Sequence, residues 1–162
     1  MPGTGILLNN EMDDFSAKPG ALNQFGAVGG DANAVVPGKT PLSSMSPTIV
    51  TQGKLPIMAV GAPGGTRIIT CVTQTLLNYL EYNMPLYESV AAVRVHHQWK
   101  PDVLKIDAPG PSPEVVSQLK KMGYKVEIEP EAVECRVMAV AREGDTLVGV
   151  SDPRDAGMSA GK

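Results

Sequence analysis

The segment PTIVTQGKLPIMAVGAPGGTRIITCVTQTLLNYL, residues 47–80, is the stretch of the chain that decides the fold. Its β-branched and apolar runs Pro47–Thr51 and Leu55–Val60 are separated by a Gly-Lys pair, so they predict a β-hairpin. A glycine-rich turn follows the second run. From Thr66 to Tyr82 apolar residues recur with helical spacing. The segment therefore predicts two antiparallel strands that lead directly into a helix.

The rest of the chain continues this mixture of elements. A second helix is predicted from Pro85 to about Val93, and a third begins with Ser112 as N-cap and ends at Gly123. Because hairpins outnumber crossovers, the expected class is α+β, with mostly antiparallel strands and about three helices in a single domain, 1–162. The further predicted strands are Val103–Ile106, Tyr124–Glu129, Val133–Ala141 and Thr146–Val150, with a turn at Arg142–Asp145.

Residues 16–47 have a different composition from the rest of the chain. They are rich in Gly, Pro, Ser, Asn and Ala and have almost no periodic apolar pattern. A loop of this length inside a compact domain is unusual, and it indicates either a functional loop or disorder.

The overall composition limits the classes of partner and cofactor. Hydrophobic residues make up 43% and charged residues 19%, which is typical of a globular domain. The net charge is -3 and no basic cluster is present, so neither nucleic acid nor a membrane is an expected partner. Cys71 and Cys135 lie in apolar segments and are predicted to be buried free thiols, with a disulfide as the alternative. His and Cys form no cluster, so no metal or cofactor is expected.

The first polar cluster of interest is acidic. Glu11, Asp13 and Asp14 fall within four residues, directly after an apolar start. Carboxylates this close repel one another unless a cation lies among them, and the ammonium group of a substrate would be such a cation. A solvated acidic turn is the simpler interpretation when the residue types are taken alone.

Two further clusters are suited to anions. Ser43 and Ser44 are adjacent hydroxyls at the end of a loop, where they could bind a carboxylate or cap a turn. Gly64 and Gly65 lie between a strand and a helix, where backbone N–H groups can stabilise an anion or a developing oxyanion. An ordinary turn is the alternative for the glycines, and their spacing matches no nucleotide-binding motif.

Taken together and in this order, the motifs closely resemble the γ-glutamyltransferase family. The resemblance covers nearly the whole chain and identifies it as the C-terminal portion of the small subunit. It implies an N-terminal-nucleophile hydrolase fold, an αββα sandwich that is incomplete in this chain. The segments that carry the resemblance are Asn9–Phe15, Pro41–Thr48, Gly61–Thr70, Arg94–Trp99 and Ser151–Arg154.

The resemblance also implies roles for the three clusters. Asp14, assisted by Glu11, would bind the α-ammonium group of a γ-glutamyl donor such as glutathione. Ser43 and Ser44 would bind its α-carboxylate, and the N–H groups of Gly64 and Gly65 would form the oxyanion hole. Water, an amino acid or a peptide would accept the glutamyl group, and no cofactor is implied.

One family feature has no counterpart in these residues. The family's nucleophile is a Thr at the start of a Thr-Thr-His or similar segment, a few dozen residues before the first motif, and no such segment occurs here. We therefore expect a partial small subunit that is inactive by itself and that associates with the large subunit of the same precursor. The missing strands would leave a sheet edge exposed, through which the chain could form a homodimer.

Two alternatives stay open. The chain could act on another acyl amide, as a cephalosporin-type acylase does, or it could be a non-catalytic domain that binds amino acids or protein partners. The family resemblance suggests the periplasm or the extracellular space as its location, with the cytoplasm as an alternative.

Overall fold

The computed structural model describes residues 2–130 and 135–161. The chain divides into two compact units, Met1–Ser44 and Met45–Lys162, which we call the N-terminal unit and the C-terminal unit. The single domain assigned from the sequence stays a prediction. No helix among the described residues is long and apolar enough to cross a membrane.

The N-terminal unit has little regular structure. Its described elements are two short 3₁₀ helices, Glu11–Asp14 and Asp31–Asn33, and two isolated bridges that pair Ser16 with Ala34 and Leu22 with Val28. Because few ladder hydrogen bonds are available, asparagine side chains accept and donate many of the hydrogen bonds of this backbone.

The C-terminal unit has an α+β fold with three α-helices among its described residues. The first two strands form the predicted hairpin, and α1 follows the glycine-rich turn. The elements in chain order are β1 (Thr48–Gln52), β2 (Leu55–Gly61), α1 (Ile68–Leu80), α2 (Leu86–Ala91), β3 (Val95–His96), β4 (Leu104–Asp107), α3 (Pro113–Lys121), β5 (Val126–Glu129), β6 (Met138–Glu143) and β7 (Thr146–Ser151).

The strands of this unit form two sheets. The larger has the order β1-β2-β6-β7 and is antiparallel throughout. The smaller has the order β3-β4-β5, in which β3 and β4 are antiparallel and β4 and β5 are parallel. Helix α3 connects the two parallel strands, since a parallel pair needs a crossover. The predicted class, α+β with mostly antiparallel strands, is confirmed.

The boundaries differ from the prediction at several strands. Strand β6 begins at Met138 rather than at Val133, which lies outside the described residues. Just before β6, the Val137 N–H donates to the Asp152 carboxylate at 2.7 Å instead of to a strand partner. The turn before β7 is shorter than predicted, because β6 extends to Glu143. Strand β3 was not predicted, since two residues are too few to show a periodic pattern.

The core of the C-terminal unit lies where α1 and α2 pack against the larger sheet. Cys71 and Cys135 belong to this core as buried free thiols, as predicted. Burial of this apolar surface supplies the main favourable term in folding the unit. The other buried members of the core are Met58, Val60, Ile68, Val72, Leu86, Val90, Val137, Ala139, Ala141 and Val150.

Candidate functional site

The acidic cluster forms a tight turn that buries one of its carboxylates. Residues Glu11–Asp14 are a 3₁₀ helix that begins with an Asp13 N–H to Asn10 carbonyl hydrogen bond of 3.0 Å. The turn leaves Asp13 exposed, whereas Asp14 retains only 8% of its accessible surface. The side chain that the sequence assigns to ammonium binding is therefore the buried one.

The surroundings of Asp14 oppose its ionisation. Burial raises the pKa of the Asp14 carboxyl above its ordinary value. The nearby charge of Glu11, a hydrogen bond with the Glu11 carboxyl and the charge of Asp13 raise this pKa further. A cation bound beside Asp14 would reverse this effect, because it would stabilise the ionised form. The arrangement is suited to holding a positively charged group.

Two asparagine side chains fix the backbone of the acidic turn. The Asp14 carbonyl oxygen accepts hydrogen bonds from Asn33 Nδ2 at 2.8 Å and from Asn23 Nδ2 at 3.3 Å. Asn23 Oδ1 in turn accepts from the backbone N–H groups of Phe25 and Ala27. The glycine-rich loop thus wraps the acidic turn through side-chain amides, which sequence periodicity does not reveal.

The two serines lie in the same unit as the acidic turn. Ser43 is exposed and Ser44 is half-buried. One residue earlier, the Leu42 N–H donates to Asn33 Oδ1 at 3.0 Å. The same Asn33 side chain thus contacts both the acidic turn and the segment that carries the serines. The predicted ammonium-binding segment and the predicted carboxylate-binding segment are therefore both hydrogen-bonded to the side-chain amide of Asn33.

Gly64 and Gly65 form the junction between β2 and α1 in the C-terminal unit. Their φ angles are 149° and 55°, a region that side-chain-bearing residues rarely adopt. A short 3₁₀ turn, Gly65–Arg67, continues into α1, and the Arg67 N–H donates to the Gly64 carbonyl at 3.0 Å. The junction therefore needs both glycines, as a backbone that approaches a ligand closely would.

An ion pair anchors this junction to the smaller sheet. Arg67 donates two hydrogen bonds to Glu129, of 2.7 and 3.1 Å, and Lys105 donates a third at 2.7 Å. The Arg67 hydrogen bond is the main cause that lowers the pKa of Glu129 to about 2, and the Lys105 hydrogen bond and both positive charges add to it. The sequence did not reveal this pairing, because its members lie far apart in the chain.

A second ion network joins the buried Arg94 and Asp152 to the partly buried Arg154. Asp152 and Arg154 form an ion pair, with Arg154 Nη1 at 3.1 Å from an Asp152 carboxylate oxygen. Arg94, which the sequence analysis did not include in this network, donates to Asp152 at 2.7 Å and to the Cys135 carbonyl at 2.7 Å. Burial raises the pKa of Asp152, but hydrogen bonds from Val137 N–H and Arg94 outweigh burial, so this pKa lies below its ordinary value.

The adjacent histidines His96 and His97 both lie within hydrogen-bond distance of polar side chains. His96 is buried, and its ring nitrogens lie 2.9 Å from Thr70 Oγ1 and 2.8 Å from Gln98 Oε1. His97 Nε2 lies 2.9 Å from Asp102 Oδ1. Because the two rings have separate partners, they do not converge on one point.

The sequence pattern of the gamma-glutamyltranspeptidase family matches residues 1–162. The chain belongs to this family. It is 49% identical over 151 residues to the glutathione hydrolase proenzyme of Escherichia coli, and the match covers 93% of this chain and 26% of that protein. It is 49% identical to the Pseudomonas aeruginosa counterpart, of which it covers 28%. The chain thus spans little more than a quarter of the length of these curated relatives.

Solved gamma-glutamyltranspeptidase structures confirm the fold class. The chain is 48% identical to the acivicin-inhibited gamma-glutamyltranspeptidase, with a TM-score of 0.88, covering 96% of this chain and 84% of that chain. It is 46% identical to the enzyme from Pseudomonas nitroreducens complexed with L-DON, also with a TM-score of 0.88, covering 100% of this chain and 84% of that chain. The N-terminal-nucleophile hydrolase fold expected from the sequence is confirmed.

The chain is also similar to a shorter protein. Scoloptoxin SSD20 of Scolopendra dehaani is 39% identical over 158 residues, and the match covers 96% of this chain and 79% of that protein. The relatives of this chain therefore include both long proenzymes and a protein that this chain covers for the most part.

Proposed function

We propose that this chain forms the donor-binding portion of a γ-glutamyltransferase that transfers or hydrolyses the γ-glutamyl group of glutathione and related amides. The observation that carries the proposal is the buried Asp14, which lies beside Glu11 and is connected through the Asn33 side chain to the segment of Ser43 and Ser44. A carboxylate that binds an ammonium group, next to hydroxyls that bind a carboxylate, is suited to a zwitterionic head group.

Asp14 binds the α-ammonium group of the donor, and Glu11 assists it. In the free protein, burial and the neighbouring acids raise the pKa of Asp14. The incoming ammonium group favours the ionised carboxylate, and a charge-assisted hydrogen bond forms between them. An uncharged substituent at this position would gain nothing from the ionised Asp14. The acidic turn therefore selects donors that carry a free α-amino group.

Ser43 and Ser44 bind the α-carboxylate through their hydroxyl groups, which donate hydrogen bonds. Hydrogen bonds to a charged group are each worth about 1.5–3 kcal/mol, so two hydroxyls contribute strongly to recognition. The carboxylate and the ammonium group are then bound at separate positions, which orients the γ-carbonyl in one direction.

Gly64 and Gly65 stabilise the oxyanion that forms on the γ-carbonyl oxygen. Each backbone N–H donates a hydrogen bond to the developing charge, which is worth about 10²–10³ in rate for a single donor. The nucleophile is the threonine hydroxyl that the family resemblance implies, supplied by a segment outside these residues. It displaces the amine, and the acyl-enzyme then reacts with water or with an amino acid or peptide.

Two associations accompany this function. The large subunit of the same precursor completes the enzyme, and the isolated chain forms a homodimer through its exposed sheet edge. Strand β1 lies at one edge of the larger sheet, and its Ile49 side chain is 69% exposed. Unpaired edge strands associate readily. Sedimentation of the purified chain at several concentrations tests the dimer, and a concentration-independent monomer would contradict it.

Substitution of Asp14 tests the proposal in an assembled enzyme that contains this chain. Asp14→Asn should lower kcat/KM for a γ-glutamyl anilide about 100- to 1000-fold, because it removes the charge of a buried ammonium-binding group. Asp13→Asn is the matched control, since Asp13 is an exposed acid in the same turn, and it should change kcat/KM less than about 3-fold. An unchanged kcat/KM in Asp14→Asn would overturn the proposal.

The chain alone should not turn over a γ-glutamyl anilide, because residues 1–162 contain no Thr-Thr-His segment. Clear turnover by the purified chain would refute this part of the proposal.

The second candidate is a non-catalytic domain that binds amino acids or protein partners. The observation that favours it is a relative not much longer than this chain, Scoloptoxin SSD20, of which this chain covers 79%. Calorimetry of the purified chain with glutamate distinguishes the two. Saturable binding by the chain alone supports the binding domain, whereas binding only in the assembled enzyme supports the enzyme portion.

A further inference from the structure

One amide side chain joins the two segments that recognise the donor. Asn33 is half-buried at the end of the second short helix, and its Nδ2 donates to the Asp14 carbonyl oxygen at 2.8 Å. Its Oδ1 accepts from the Leu42 N–H at 3.0 Å, one residue before Ser43. The planar amide therefore bridges the acidic turn and the serine segment by one donated and one accepted hydrogen bond.

The backbone of Asn33 is held against the same acidic segment. Its carbonyl accepts from the Ser16 N–H at 2.9 Å, and its own N–H donates to the Gly30 carbonyl at 3.1 Å. Ser16 is only two residues from Asp14, and it is buried with 3% of its surface exposed. Asn33 therefore has little freedom to move relative to Asp14, and the Leu42 contact extends this constraint to the serine segment.

Binding of the donor depends on the distance between the acidic turn and the serine segment. The α-ammonium and α-carboxylate of a γ-glutamyl group are attached to the same carbon, so the protein groups that bind them must keep a fixed distance. A misplacement of about 1 Å at such a site can cost about 100-fold in rate. Productive geometry must be held within about 0.5 Å by side chains that are themselves locked.

On the basis of the proposed function, we propose that Asn33 is a positioning residue that sets the separation between Asp14 and the Ser43–Ser44 pair. Asn33 touches neither end of the donor. It makes the enzyme prefer donors that carry both α groups over donors that carry only one. A donor with a single α group contacts only one of the two segments, so its binding does not depend on their separation.

Asn23 provides a matched control within the same unit. It donates to the same Asp14 carbonyl oxygen, at 3.3 Å. Its Oδ1, however, accepts from the Phe25 and Ala27 N–H groups inside its own loop, at 3.0 and 2.9 Å. Asn23 thus contacts the acidic turn without contacting the segment next to the serines, and Asn23→Ala removes the same kind of group without breaking the bridge.

The test compares three anilides in an assembled enzyme that contains this chain. The first is the L-γ-glutamyl anilide, the second is the glutaryl anilide, which lacks the α-ammonium group, and the third is the 4-aminobutyryl anilide, which lacks the α-carboxylate. Asn33→Ala should lower kcat/KM for the γ-glutamyl anilide about 10- to 100-fold, mainly through KM. It should lower kcat/KM for the other two less than about 3-fold, and Asn23→Ala should change the preference less than about 3-fold.

Asn33→Asp keeps the experiment decisive if the alanine variant does not fold. Aspartate has the same size and can still accept from the Leu42 N–H, but it cannot donate to the Asp14 carbonyl. If only the added negative charge mattered, Asn33→Asp would favour the positively charged 4-aminobutyryl anilide and disfavour the negatively charged glutaryl anilide. If positioning is lost, turnover of the γ-glutamyl anilide falls relative to both of the other anilides, and this is the result that we expect.

The proposal is overturned if the Asn33 variants keep the wild-type preference, or if turnover of all three anilides falls equally, as a purely structural role would require. Failure of the proposed function gives a different result, because the unsubstituted enzyme would then show no preference for the γ-glutamyl anilide over the other two.

Discussion

The N-terminal and C-terminal units are stabilised by different interactions. The regular structure among the described residues of the N-terminal unit consists of short 3₁₀ helices and isolated bridges, and asparagine side chains hold its backbone at Asp14 and Leu42. The C-terminal unit has two sheets, a buried apolar core and a buried ion network. The segments proposed to recognise the donor's α groups therefore lie where individual hydrogen bonds, rather than the burial of apolar side chains, determine the conformation.

The buried ion network provides the largest expected effect on stability. Arg94→Met should destabilise the chain by about 3–5 kcal/mol, because it leaves Asp152 buried with one of its two guanidinium partners missing. Thermal or urea unfolding of the purified chain measures this change. Arg136→Met is the control, since the Arg136–Asp155 pair is half exposed on both sides, and its cost should stay below about 1 kcal/mol. Equal losses in the two variants would show that burial of the network is irrelevant.

A pair of leucine substitutions compares the two units directly. Leu86 in α2 is 1% exposed, so Leu86→Ala should cost about 2–5 kcal/mol through lost burial and a cavity. Leu22 in the N-terminal unit is 62% exposed, and Leu22→Ala should change stability by less than about 0.5 kcal/mol. If Leu22→Ala were the more destabilising change in denaturant unfolding, apolar burial would not be what distinguishes the C-terminal unit from the N-terminal unit.

The ion pair at the glycine junction gives a smaller effect that depends on pH. Glu129→Gln should cost about 1–2 kcal/mol at neutral pH, because Arg67 and Lys105 lose their shared carboxylate. Arg67 and Lys105 lower the pKa of Glu129 from 4.5 to about 2, so this stabilisation is present above pH 4.5 and is lost as the pH falls towards 2. The difference in unfolding free energy between wild type and Glu129→Gln should therefore shrink over that range. A constant difference would contradict the assignment.

Asp14 gives the smallest effect on stability, with the opposite sign. Its pKa is raised by burial and by neighbouring acids, so its contribution to stability is full below its unfolded pKa and is lost as the pH rises through the folded pKa. Asp14→Asn should therefore leave the melting temperature at neutral pH unchanged or slightly higher. Donor binding depends on pH in the opposite direction, since it needs the ionised carboxylate, and KM should rise as the pH falls through the Asp14 pKa. A marked fall in melting temperature would assign Asp14 a structural role.

The regular elements could be predicted from the sequence because their signals are local. The β1–β2 hairpin, helix α1 and the Ser112 N-cap of α3 each follow from residues adjacent in the chain. The parallel pairing of β4 with β5 and the Arg94–Asp152 contact could not be predicted, because their partners are far apart in sequence. Long-range pairs leave no periodic pattern in the sequence.

In the candidate site, too, the sequence predicts some residues and does not reveal others. Family motifs identified Asp14 and Ser43 as candidate binding residues, but Asn33 belongs to none of those motifs and has no periodic signal. Its hydrogen bonds to Asp14 and Leu42 span 19 and 9 residues, so only the fold reveals them. A polar side chain in a long glycine-rich loop is the only hint that the sequence offers.

The most direct measurement is a crystal structure of an assembled enzyme that contains this chain, with glutamate bound. We expect the α-ammonium nitrogen about 3 Å from the Asp14 carboxylate and the α-carboxylate at hydrogen-bond distance from the Ser43 and Ser44 hydroxyls. Glutamate bound elsewhere, with no contact to Asp14 or to the two serines, would contradict the proposed donor-binding roles of these residues.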